Sequence, residues 1–92
     1  MKDYIQRIKF TLEDYIDFAN AYGPHANVRM CYDPECNSIR ISYDLRKNET
    51  TASIVLRFDP KTRELYLPGI IEEKTSNLDV ILSAIAKRIT GH

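Results

Sequence analysis

Tryptophan is absent from this chain, glycine occurs three times, cysteine and histidine twice each, and thirteen basic residues cancel thirteen acidic ones. Each scarcity excludes something. Gly23, Gly69 and Gly91 stand alone at the ends of segments, so no glycine-rich loop can cradle a phosphate. Two cysteines and two histidines fall short of an ordinary structural zinc site, which takes four converging ligands. Cys31 and Cys36 are separated by four residues, with Cys31 expected on a strand and Cys36 in a turn. That places them too far apart for a disulfide, and free thiols in a reducing compartment are expected. The charges are also balanced regionally, so there is no general electrostatic pull on nucleic acid, and binding of that kind would need a local patch. No apolar run approaches bilayer length, and the N-terminus lacks the apolar stretch of a signal peptide; a cytoplasmic protein with no membrane partner is expected.

The 92 residues are enough for one domain, 1–92, and too few for two. Within it lies a short repeat. Tyr32-Asp33-Pro34-Glu35-Cys36-Asn37-Ser38-Ile39 matches Phe58-Asp59-Pro60-Lys61-Thr62-Arg63-Glu64-Leu65 position for position. Each copy reads as a hairpin turn: Asp accepts backbone hydrogen bonds, Pro presets φ, and Asn37 or Arg63 closes the turn in the left-handed region. Asn suits that conformation and Arg does not. Pairing Tyr32 with Ile39 and Phe58 with Leu65 sets both registers. Alternation then gathers Val28, Met30, Tyr32, Ile39, Ile41, Tyr43, Leu45, Ala52, Ile54, Leu56, Phe58, Leu65 and Leu67 on one apolar face. Residues 46–49 make a plausible tight connection, giving a four-stranded antiparallel meander.

Two helices would cover the apolar face. In the first, Thr11 and Asp14 resemble a capping box, Phe10 and Tyr15 fill the staple positions, and Gly23-Pro24 supplies a stop. Leu12, Tyr15, Ile16, Ala19 and Tyr22 share its apolar stripe. The second starts near Ser76 and presents Leu78, Ile81, Leu82, Ile85 and Ile89 before Gly91. Residues 4–10 read either as an extra N-terminal strand or as an earlier start of the first helix, and the staple at Phe10 favours the strand. The expected fold is therefore α+β, with an N-terminal and a C-terminal helix packed on one face of the meander. Pro68 blunts the last strand, whereas the first carries no proline and one charge, so self-association through that edge is expected.

Chemistry finds little purchase. His25 sits in the loop Gly-Pro-His-Ala-Asn, where a solvated histidine is the simpler reading than a base for Cys31. The acid pairs Glu13-Asp14 and Glu72-Glu73 read as a helix first turn and a solvated linker, not as general acid and base. No catalytic residue, metal ligand or cofactor is assigned. What remains is the polar sheet face, where Arg29, Arg40 and Arg57 stand on strands and Tyr66 lies opposite Arg57. Such a surface can hold acidic protein groups through bidentate pairs, or single-stranded nucleic acid through phosphate contacts and stacking. The leading expectation is a non-catalytic protein-interaction module, an inhibitor or adaptor of the kind found in viruses and mobile elements among other sources. The alternative is a nucleic-acid-binding domain using the same arginines.

Overall fold

The computed structural model describes residues 2–45 and 50–91. Helix α1 (Lys2–Tyr22) is followed by strands β1 (His25–Asp33), β2 (Ser38–Leu45), β3 (Thr50–Phe58), β4 (Leu65–Leu67) and β5 (Ile71–Thr75), then helix α2 (Leu78–Thr90). The strands form one antiparallel sheet in sequential order, an α+β fold. The connection expected at 46–49 lies outside the described residues.

Turn chemistry fixes the sheet. In the first turn, Asp33 Oδ1 accepts from the backbone N–H groups of Glu35 (3.0 Å) and Cys36 (3.3 Å). In the second, Asp59 Oδ1 accepts from Lys61 (2.8 Å) and Thr62 (3.4 Å). Asn37 at φ 48° and Arg63 at φ 61° then close the two turns in the left-handed region. Tyr32 accordingly faces Ile39, Phe58 faces Leu65, and Arg57 faces Tyr66. The expected apolar face points inward, with Ile39, Ile41, Leu56, Leu65 and Leu67 fully buried.

Both helices pack on that face, α1 along β1 and α2 across β4 and β1. Residues 4–10 belong to α1 and form no strand. The reason is spacing: Ile5, Ile8, Leu12, Ile16 and Ala19 recur at three and four residues, a helical stripe that buries Ile8 and Leu12 completely. Thr11 is therefore mid-helix and not a cap, its hydroxyl donating back to the Arg7 carbonyl. Tyr22, expected in the core, is 78% exposed. The cap of α2 is Asn77, whose Oδ1 accepts from the N–H groups of Asp79 and Val80, one residue beyond the expected Ser76. At their C-terminal ends the helices nearly touch. A Cβ on Gly23 would stand 2.6 Å from the Ala19 carbonyl oxygen and 3.0 Å from that of Ile89, so no larger residue fits there without displacing backbone.

The sheet has a fifth strand that the meander reading omitted. Pro68 and Gly69, the latter at φ 82°, turn the chain in the type II pattern, closed by the Ile70 N–H on the Leu67 carbonyl. Strand β5 then pairs with β4 as a charged edge bearing Glu72, Glu73 and Lys74, the sort of edge that resists further pairing. At the opposite edge, β1 carries an extra residue between Ala26 and Arg29, with Asn27 at φ 53°. The Asn20 side chain of α1 meets both backbone groups of Val28, donating to its carbonyl and accepting from its N–H. The edge expected to be open is thus satisfied at that point from within the chain. No helix of the described chain is long and apolar enough to cross a membrane.

Arg63 carries the one left-handed conformation poorly suited to its residue type, but its guanidinium also lies 5.2 Å from the ring centre of Tyr4. Two opposing effects follow from Arg63→Gly: relief of backbone strain and loss of the cation–ring contact. In a Tyr4→Leu background only the first operates, and urea melts should show a gain of about 1 kcal/mol from Arg63→Gly, larger than the gain in the wild-type background. A loss of stability in the Tyr4→Leu background would contradict the strain at this turn.

Candidate functional site

The polar face lies opposite the helices. Arg29, Arg40 and Arg57 are all exposed on it. Register places them on a diagonal: Arg29 faces Ser42 two residues from Arg40, and Arg40 faces Val55 two residues from Arg57. Arg57 is directly opposite Tyr66, so the diagonal crosses β1, β2, β3 and β4. Neighbours related in this way sit about 7–8 Å apart, within reach of one bound group.

The three arginines are not equivalent. Asp44 accepts from the Asn27 amide (2.9 Å), the Thr51 hydroxyl (3.1 Å) and Arg29 Nη1 (3.5 Å). Those bonds, the Asn27 amide foremost, hold the Asp44 carboxyl below its usual range. Arg29 Nη1 also donates to the Asn27 carbonyl at 2.7 Å. Arg29 therefore pins the β1 bulge. Among the described residues, Arg29–Asp44 is the one ion pair within 4 Å; Arg40 and Arg57 form none that close, although the Cys36 thiol's hydrogen bond and, in lesser part, the Arg40 charge help to hold the Asp33 carboxyl below its usual range.

Around Arg57 the surface dips into a shallow cleft of about 480 Å³, lined by Arg57, Tyr66, Lys61, Lys74, Cys36 and Asp59 among others. Asp59 spends Oδ1 on the turn, and the Lys61 and Thr62 N–H groups, with the Lys74 charge, keep its carboxyl below the ordinary value. Arg57, Lys61 and Lys74 thus share this cleft with half-buried Tyr66 and the carboxylates of Asp59 and Glu64. Sequence reasoning missed Lys74 because β5 has no alternation of apolar and polar residues to mark it as a strand. The Pro-Gly turn before it was the available signal.

A second surface also escaped notice. Of the four exposed large apolar side chains among the described residues, Phe10 (60%), Phe18 (47%) and Tyr22 (78%) lie on α1 and Val80 on α2, and the rings of Phe18 and Tyr22 are 5.1 Å apart. The other previously considered groups are structural or solvated. The His25 ring lies 4.5 Å from that of Tyr43, tilted by 30°, and among the described residues no three His, Cys, Asp or Glu side chains are grouped to hold a metal ion. Comparison of the chain with protein-family models, curated proteins and solved structures finds no match.

Cys31 and Cys36 are both exposed free thiols. The Asp33 carboxylate accepts a hydrogen bond from the Cys36 thiol, and this bond with the adjacent charge pushes that thiol's pKa up. Asp33→Asn keeps an oxygen for the turn amides and removes the charge. Two thiols should react with a disulfide reagent in native protein at neutral pH, and Asp33→Asn should accelerate the slower of them severalfold, as a larger thiolate fraction requires. An unchanged rate would show that the carboxylate does not govern Cys36.

Proposed function

We propose that this protein is a non-catalytic interaction module, an inhibitor or adaptor that binds an acidic surface of a protein partner through the open face of its sheet. The observation that supports this reading is the bare diagonal of Arg40, Arg57 and Tyr66, extended by Lys74, on a face that neither helix covers. Arginine and tyrosine contribute disproportionately at interfaces, and side chains on paired strands lose little freedom on binding because their backbone is already fixed. A planar guanidinium also matches a carboxylate with two parallel hydrogen bonds. Arg29 contributes mainly by holding the bulge that shapes the rim.

A nucleic-acid partner is less well served. A strand-binding groove combines a continuous cationic track with several stacking rings, whereas among the described residues this face offers Tyr66 as its one ring and interrupts its cations with Asp33, Asp44 and Glu72. Two exposed thiols suit a reducing, cytoplasmic setting.

Affinity capture from the cells that make the protein tests the reading. Arg40→Glu with Arg57→Glu should remove the captured partner while leaving the thermal melt near wild type, since both positions are exposed and no core contact changes. Capture that survives nuclease and falls as salt rises from about 50 to 200 mM identifies an acidic protein partner; capture abolished by nuclease identifies nucleic acid. Undiminished capture by the folded double variant would exclude the sheet face.

A further inference from the structure

Residues 10, 14, 18 and 22 of α1 are all exposed, and so are 13, 17 and 21 beside them. In an α-helix the first set forms a single ridge of residues four apart. That ridge reads Phe10, Asp14, Phe18, Tyr22, and its neighbour reads Glu13, Asp17, Ala21. Three aromatic rings and three carboxylates thus share one outward surface, with no lysine or arginine between Lys9 and the end of the helix. The partial negative charge of the helix C-terminus adds to theirs. The remaining apolar stripe of α1 is consumed by the core, so nothing in the fold of one chain uses this ridge.

Across the molecule, the sheet face carries the cations Arg40, Arg57 and Lys74, the last two lining one cleft with Tyr66. The ridge from Phe10 to Tyr22 rises about 18 Å, and the line from β2 to β5 crosses about 14 Å of sheet. The ridge carboxylates complement these three cations, and the two surfaces are similar in length and on opposite sides of the chain. We infer that the α1 ridge of one copy docks on the cationic sheet face of another, giving a head-to-tail assembly. The inference rests on the sheet-face reading and names a second copy of this chain as an occupant of that face. Asp14 and Asp17 face Arg40, Arg57 and Lys74, while Phe18 and Tyr22 pack beside Tyr66. Because the two surfaces differ, the contact is heterologous and does not close at a dimer. An isologous ridge-to-ridge dimer would set carboxylates against carboxylates.

Sedimentation of purified protein from about 5 to about 500 µM, where mass action favours association, tests this directly. Wild-type average mass should rise past the dimer value and fall back as salt is raised from about 50 to about 500 mM. Phe18→Ser with Tyr22→Ser should remain monomeric, as should Arg40→Glu with Arg57→Glu. Mixed in equal amounts, these two variants should form a one-to-one dimer that grows no further, because one retains the sheet face and the other the ridge. A wild-type protein that is monomeric throughout would overturn the assembly while leaving the sheet face to be judged by the capture experiment. Growth that survives in the sheet variant would overturn the assembly and discredit the sheet face as its docking surface. A mass that plateaus at the dimer in wild type and both variants would point to pairing of β1 edges and overturn the head-to-tail contact.

Discussion

Everything in this molecule depends on an aspartate carboxylate that gathers two backbone amides at the start of a turn, twice over. Asp33 and Asp59 each do this, and a left-handed residue four positions later returns the chain in a fixed register. Side chains in a strand alternate with period two, so a slip of one residue would send Ile39, Ile41 and Leu56 to solvent and bring Arg40 and Arg57 into the core. Burying unpaired guanidinium groups is prohibitively costly. The turns therefore decide not only the pairing but which face must be covered. With two helices available and both required on the apolar side, the arginine face is left bare.

The local parts of this logic were legible in the residues. The Asp-Pro repeat specified both hairpins, and alternation sorted Val28 through Leu67 onto the correct faces, because turn chemistry and strand period are set by near neighbours. The failures fall where tertiary context decides. Residues 4–10 satisfy an alternating pattern and a helical one at once; burial of Ile8 against the sheet, a tertiary effect, decides for helix. Strand β5 carries Glu72, Glu73 and Lys74 because an edge strand tolerates charge, so its sequence has no apolar alternation to betray it. The bulge at Asn27 required knowing that Asp44 would sit opposite. Arg40, Arg57 and Tyr66 could be assigned to the polar face from alternation alone. Lys74 could not be added without β5, and the exposure of Phe18 and Tyr22 could not be read until α1 had a direction relative to the sheet.

A net charge of zero conceals a division of charge that the fold creates. The outward ridge of helix α1 carries carboxylates and aromatic rings without a cation; the opposite face of the sheet carries Arg40, Arg57 and Lys74, with Asp33, Asp44 and Glu72 among them. Each surface is tolerable on a monomer, since carboxylates stand among the aromatic rings of the ridge and keep the apolar patch small. Their opposition gives one small domain two chemically distinct faces.

The central claim is that the sheet is buried on one side and open on the other, and Val55 tests it best because it stands outward between the inward-pointing Ile54 and Leu56. In dilute monomer, methyl relaxation by a soluble paramagnetic agent should be strong at Val55 and weak at Ile54 and Leu56. Protection of Val55 equal to that of its two neighbours would mean that the arginine face is covered, and would contradict the account.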